Sequence, residues 1–244
     1  MAEWWADIKA QFDLNFIQKD RWLSMLHGLE NTLLITLFAA MIGVALGIVV
    51  AAVRTTYDNN GASMKFQKSF GYHVLRFFNG ICKIYLTVIR GTPVVVQLLI
   101  IYFIIFANST NDILVATFAF GINSGAYVAE ILRGGIMSID TGQFEAGRSI
   151  GFNYVQTMVY VIIPQVFKNV LPTLLNEFIT LLKETSVAGY VGIMDLTRSG
   201  NAIRGVTYSA FMPLIAVALI YLAIVLLLSR LVGRLERRLR KNER

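Results

Sequence analysis

Leu33 to Val53 is a run of 21 residues without a charge, and Tyr208 to Ser229 is another of 22. The hydrocarbon core of a bilayer, about 30 Å thick, is crossed by roughly 20 apolar residues in a helix, so both runs are long enough. Hydrocarbon offers no partner to a backbone N–H or C=O, which restricts such a segment to a helix that satisfies itself. Three less uniform stretches lie between them. Ile84 to Ala107 is apolar apart from Arg90 and is interrupted by Gly91-Thr92-Pro93. Ile113 to Ala129 ends at Glu130 and Arg133, while Leu174 to Leu196 contains Glu177, Lys183 and Glu184. The expected fold is all-α and integral to the membrane, with five transmembrane helices over about 29–53, 84–107, 113–131, 172–196 and 208–230 in a domain of residues 23–232.

At 56% hydrophobic and 15% charged, the chain is too apolar for a soluble domain of 244 residues. The net charge of +7 does not indicate nucleic acid, because seven of the 22 basic residues crowd into the last fifteen positions, directly after an apolar run. That placement reads as a membrane-surface anchor, with 233–244 as a basic cytoplasmic tail. Residues 1–22 mix charges with Trp4, Trp5, Ile8 and Phe12, the pattern of a short interfacial helix rather than a signal peptide. Counting Lys and Arg in the connections gives five between Arg54 and Lys83, three at Arg133, Arg148 and Lys168, and seven in the tail. The other side has Lys9, Lys19, Arg21, Arg198 and Arg204. Fifteen against five places the N-terminus outside, the C-terminus inside and residues 133–168 in the cytoplasm. Cys82 is alone, His27 and His73 are isolated, and no nucleophile, base or metal cluster is visible, so neither a catalytic nor a metal site is assigned. A Gly-x-x-x-x-Gly-Lys-Ser/Thr phosphate loop is absent, so the chain is not its own ATP motor.

The segment 133–168 is polar and carries a spaced pattern: Glu145-Ala146-Gly147, then Gly151, then Val161-Ile162-Ile163-Pro164. Its spacing resembles the cytoplasmic loop of bacterial ABC importer permeases, Glu-Ala-Ala, three residues, Gly, nine residues, Ile, one residue, Leu-Pro. Glu145, Ala146, Gly151 and Pro164 match outright, and Gly147, Val161 and Ile163 stand for Ala, Ile and Leu. Asn31-Thr32-Leu33, Val88-Ile89-Arg90-Gly91-Thr92-Pro93 with Gln97, and Leu182-Lys183-Glu184-Thr185-Ser186 running on to Leu196-Thr197-Arg198 extend the likeness. Together these resemble the permease subunit of polar amino acid ABC importers, the histidine/glutamine/arginine class. Val187 in place of Leu and a longer, more polar segment from Asp58 to Phe70 depart from that pattern.

The resemblance implies the type I ABC importer permease fold, with cytoplasmic coupling helices, in a bacterial cell membrane. It implies two ABC ATPase subunits that bind ATP and Mg, no cofactor in this chain, a second copy or a homologous permease, and an extracytoplasmic amino acid-binding protein. Glu145, Ala146, Gly147, Arg148, Gly151 and Pro164 are then the ATPase-coupling residues. Glu145 is expected to open a short helix, Gly151 to turn the chain, and Pro164 to start the following segment.

Charges inside a membrane point first to function. Glu177 and Glu184, seven residues apart, share a helix face, and Glu184-Thr185-Ser186 near Gly189 can offer an amino acid's ammonium group its partners. Gln97, Asn123 and Tyr127 are pore-lining candidates, with helix packing as the other reading of Phe120–Tyr127. Arg90, Gly91, Thr92, Pro93, Glu130 and Lys183 form the structural motif, either snorkelling or paired, with Lys183 and Glu130 as possible partners. The rival to an ATP-driven importer is an ion-coupled secondary amino acid transporter working through Glu177 or Glu184; its expected mark, an inverted repeat, is not evident.

Overall fold

The computed structural model describes residues 1–66 and 70–241 and, within them, all side chains but those of residues 2, 3, 60–64, 240 and 241. Lys68 and Arg244, counted above, therefore lie outside the described residues, as do the side chains of Arg240 and Lys241. Every regular element described is helical: α1 (Ala2–Phe12), α2 (Arg21–Phe66), α3 (Phe70–Gly91), α4 (Val94–Ile100), α5 (Asp112–Met137), α6 (Thr141–Ser149), α7 (Tyr154–Thr157), α8 (Ile163–Glu184), α9 (Leu196–Thr207) and α10 (Phe211–Lys241). Among the described residues, four helical runs are long and apolar enough to cross a membrane, Trp4–Asn59, Asp112–Met137, Tyr154–Val191 and Phe211–Leu239. The bent pair Phe70–Gly91 and Val94–Ile105 supplies a fifth.

These helices overrun the apolar stretches that announce them. Propagating a helix adds a hydrogen bond per residue whether or not hydrocarbon surrounds it, so polar flanks such as Arg54–Phe66 continue the coil. The fourth run begins at Tyr154 rather than near 172, passes through a π turn at Met158–Ile162, and becomes α8. Pro164 is the second residue of α8, in its first turn. Proline lacks an N–H and its ring crowds the carbonyl four residues back. The π turn, closed by Ile163 N–H on the Met158 carbonyl, widens the coil directly before it. After Glu184 the chain tightens into a 3₁₀ stretch, Thr185–Val191, which ends at Gly192 with φ +93°, a left-handed position that glycine adopts without a Cβ penalty.

By internal contacts the chain divides into two compact units. The first comprises Met1–Ala39, Val94–Phe120 and Ile179–Arg230. Its core is Phe16, Met25, Leu196, Ile203 and Val217, flanked by Leu29 and Ile220. Buried Asp195 caps α9, accepting from the N–H groups of Thr197 at 3.0 Å and Arg198 at 3.1 Å. The start of α2 closes on the same corner: Asn31 donates to the Met194 carbonyl at 2.9 Å, and Thr32 Oγ1 accepts from Leu196 N–H at 3.1 Å. Asn31-Thr32 is therefore a hydrogen-bonding clamp on the turn before α9. The N-terminal segment is tied down as well, with Thr207 Oγ1 donating to buried Asn15 at 2.8 Å.

The second unit comprises Ala40–Pro93, Gly121–Phe178 and Leu231–Arg244. Small residues bring its helices close. A Cβ on Gly43 would stand 3.0 Å from Ser124 Cβ, and one on Gly47 would stand 2.5 Å from Val128 Cγ1. Gly43 and Gly47 are four apart on one face of α2, the small-xxx-small spacing by which helices approach in a membrane. Beside this seam, Val50, Cys82, Leu86, Ala126 and Ala129 form one apolar cluster; Ile139, Ile162, Val166 and Val170 form another. Gly47→Leu is expected to overpack the α2–α5 seam by about 1–3 kcal/mol. It should lower the thermal unfolding midpoint of the detergent-solubilised protein, while the same change at half-buried Gly80, where a Cβ would meet nothing within 4 Å, should not.

Candidate functional site

The spaced pattern of 145–164 folds into a compact module of the second unit. Asp140 caps α6, its side chain accepting from Gly142 N–H at 2.7 Å, so the helix opens at Thr141. Glu145 consequently sits mid-helix, not in the first turn where the sequence reading put it; Asp140 already holds the cap. Arg148 occupies the last turn, the favourable end for a cation. Gly151 follows at φ +88°, reversing the chain in a left-handed conformation with open space around it. Asn153 then caps α7 in a reciprocal box with Gln156, both bonds at 2.9 Å.

One close approach joins α6 to α7. Gly147 is buried against Thr157, and a Cβ there would meet Thr157 Cγ2 at 2.6 Å and Oγ1 at 2.7 Å. Glycine, where the related pattern has alanine, is thus matched to a threonine ten residues on. Glu145, Ala146 and Arg148 stay exposed on the other side of the helix. A cavity of about 490 Å³ opens beside them, lined by Asn59, Thr141, Phe144, Glu145, Arg148, Tyr154 and Thr157. Ile150, Val155 and Tyr160 are 69%, 65% and 68% exposed around the same module, a concentration of bare apolar side chains that calls for a covering surface. Pro164 follows behind the π turn, also exposed.

The remaining candidates fall into both units. Gln97, Glu184, Thr185 and Ser186 belong to the first, and Asn123, Tyr127 and Glu177 to the second. Gln97 and Asn123 are buried, while Tyr127, Glu177 and Glu184 are half-buried. Thr185 is wholly buried; its hydroxyl donates to the Leu182 carbonyl at 2.8 Å and lies 3.4 Å from that of Thr36, so it ties the end of α8 to α2. Ser186 lines a separate cavity of about 480 Å³ with Gly189, Tyr190, Thr197, Arg198, Asn201 and Ala202. In the second unit, Ser124 Oγ donates to Glu177 at 3.4 Å.

Glu130 finds its cations in Arg90 at 3.5 Å and Arg133 at 3.3 Å, in place of the Lys183 considered above, which is exposed. Arg90 also lies 5.9 Å from the Tyr127 ring centroid. Thr92 Oγ1 returns to the Val88 carbonyl at 2.8 Å, closing α3 before Pro93. Sequence reasoning missed Asp140 and Asn153 as caps, although Asp140-x-x-Gln143 and Asn153-x-x-Gln156 both carry the signature of a helix start. It missed Asp58 and Thr157 as partners, for which no local signal exists.

The helices and this module define a membrane permease. Residues 69–241 match the model of the family described as binding-protein-dependent transport system inner membrane component, and the chain belongs to that family. It is 36% identical over 222 residues, 90% of its length and 94% of the relative's, to the arginine transport system permease protein ArtQ of Bacillus subtilis. It is 37% identical over 210 residues, 84% and 90% of the two chains, to the glutamine transport system permease protein GlnP of Escherichia coli K12. Among solved structures, an amino acid ABC transporter crystallised with histidines superposes with a TM-score of 0.78 at 39% identity, over 91% of this chain and 98% of that one. The MetNI methionine ABC transporter shares the fold, with a TM-score of 0.73 at 18% identity over 89% and 97%. The protein is accordingly a transmembrane subunit of an ABC importer with the type I permease fold, not an enzyme; ATP hydrolysis resides in a partner subunit. Nothing in these relationships favours ion coupling.

The Gly147–Thr157 contact yields a two-part prediction. Gly147→Ala alone should force α6 from α7 and, by overpacking, cost about 1–3 kcal/mol of local stability. Adding Thr157→Ala removes both clashing atoms and should restore protection of residues 141–157, read by limited proteolysis of the membrane-embedded protein.

Proposed function

We propose that this chain forms the translocation pathway of an importer for a polar amino acid, cycling by alternating access in a bacterial cell membrane. Its N-terminus lies outside and its C-terminus in the cytoplasm, as the fifteen-to-five distribution of Lys and Arg favours. Two ATPase subunits binding ATP and Mg stand against the 133–168 region, a second permease copy or homologue completes the membrane part, and an extracytoplasmic binding protein delivers the substrate. The observation that carries this reading is the α6–α7 module. It is a rigid, doubly capped unit with exposed Glu145 and Arg148, a cavity beside them and bare apolar side chains around it. A capped helix pair of that kind offers a soluble motor something to grip.

Amino acid specificity is supported by near full-length identity to permeases for arginine and glutamine and to a transporter crystallised with histidines. Gln97, Asn123, Tyr127, Glu177, Glu184, Thr185 and Ser186 are the residues assigned to the pathway. Of the carboxylates, Glu184 stands where α8 gives way to the 3₁₀ stretch, and unwound turns of this kind expose backbone dipoles to a zwitterion.

The test is reconstitution with the ATPase and binding protein in vesicles, with uptake of arginine, glutamine and histidine measured against ATP turnover. Uptake should require internal ATP and ignore imposed proton or sodium gradients; gradient-driven uptake without ATP would overturn the proposal. In the same vesicles Gly151→Val should abolish ATP-driven uptake without loss from the membrane, because a β-branched residue at φ +88° costs at least about 1–2 kcal/mol. The space around Gly151 is open, so the damage is to the turn and not to packing. Glu184→Gln should change which amino acids stimulate the ATPase; an unchanged substrate dependence removes Glu184 from the pathway.

A further inference from the structure

Four charged side chains of the second unit form one continuous chain. Asp58, on the polar extension of α2, lies 3.6 Å from Arg133 of α5. Arg133 reaches one turn back along its own helix to Glu130, Nε to Oε1 at 3.4 Å and Nη2 to Oε2 at 3.3 Å. That same Oε2 is 3.5 Å from Nη1 of Arg90 on α3. Two guanidinium groups from two helices therefore share one carboxylate oxygen. Asp58, Arg133 and Glu130 are each about a quarter exposed, so they are neither free in solvent nor sealed away.

The ends of the chain are informative. Asp58 is followed by Asn59, which lines the cavity beside Glu145 and Arg148. Arg90 is the penultimate residue of α3, directly before the break at Gly91-Thr92-Pro93. Arg54, one turn before Asp58, donates to buried Asn79 of α3 at 2.9 Å, so α2 is braced against α3 independently of the ionic chain.

We propose that Asp58, Arg133, Glu130 and Arg90 are positioning residues that link the α6 cavity to the break after α3, through competition of Arg133 and Arg90 for Oε2 of Glu130. While Asp58 holds part of Arg133, Glu130 is shared and Arg90 is retained. If the inner end of α2 moves with the cavity wall, Arg133 loses Asp58 and takes a larger share of Glu130. Arg90 then keeps only the Tyr127 ring, over which it already lies at 5.9 Å, and the break beside it is freed. The two guanidinium groups draw on a single negative charge, so a fuller claim on Glu130 by Arg133 weakens its hold on Arg90. This inference rests on reading α6 as the coupling element.

The experiment uses the assembled transporter in vesicles and reads the ATP hydrolysed per amino acid imported. Asp58→Asn and Glu130→Gln should each shift that ratio by roughly 2- to 30-fold, the range in which residues that touch no ligand modulate coupling between sites. The exchange Asp58→Arg with Arg133→Asp should stay shifted, because it restores an ion pair between positions 58 and 133 but leaves no cation at 133 to share Glu130. Asp58→Glu, which keeps the charge, should stay near the parent. Co-purification of the ATPase with each variant separates loss of coupling from loss of assembly. An unchanged ratio in Asp58→Asn and Glu130→Gln, or full recovery in the assembled exchange variant, overturns the relay. If Gly151→Val also leaves the ratio unchanged, it is the coupling role of α6 that fails; if Gly151→Val uncouples and the Asp58 variants do not, only the relay is lost.

Discussion

Hydrocarbon accepts no hydrogen bonds, and that constraint shapes every element of this protein. A chain bound to satisfy its own backbone must run as helix for as long as it stays in the bilayer. Each interruption then has to be closed locally. The structure closes most of its interruptions with side chains close in sequence: Thr92 on the Val88 carbonyl, Asp195 on the N–H groups of Thr197 and Arg198, Asp140 on Gly142, Asn153 and Gln156 on each other; the turn before α9 also takes Asn31 and Thr32 of α2. Where the chain cannot use a side chain it changes pitch, as in the π turn before Pro164 and the 3₁₀ stretch after Glu184. Of the candidate residues, Arg90, Glu184 and the stretch Glu145–Gly151 lie beside these interruptions, while Gln97, Asn123, Tyr127 and Glu177 lie within helices.

Packing follows from the same solvent. Between helices in a membrane there is no gain from burying one apolar surface rather than another, so close approach and polar contacts decide which helices meet. Gly43 and Gly47 let α2 lie against Ser124 and Val128 of α5, and Gly147 performs the same office for α6 against Thr157. The two uses differ in consequence. The first fixes helices that cross the membrane. The second fixes a short helix to its successor and leaves Glu145 and Arg148 outward. A nine-residue helix has little stability of its own, so its caps and that single contact are what hold it in place.

The sequence made the spanning helices legible because a run such as Leu33–Val53 has no other stable state in a bilayer. It made the family legible because Glu145, Gly151 and Pro164 keep their spacing. It misplaced the start of α6 because the carboxylate in the recognised pattern drew attention from Asp140, five residues earlier, which occupies the capping position. Arg90, Glu130, Arg133 and Asp58 were visible as charges but not as a chain, since their partners lie up to 75 residues apart, Asp58 from Arg133, and no periodicity links them.

Placement of those charges carries one further consequence. An exposed ion pair contributes little, and a fully buried one loses in desolvation what it gains in attraction. Pairs whose side chains are between about a quarter and 44% exposed lie between these limits, where exchanging one partner for another costs little because water can follow the released group. A relay that must change hands in every transport cycle is better built from such pairs than from either extreme. The contacts at 3.3 to 3.6 Å, longer than tight charge-assisted hydrogen bonds, fit that use. Rigid caps in α6 and α7 and loose ion pairs among α2, α3 and α5 are then complementary, the first resisting deformation so that movement is passed on, the second yielding to it.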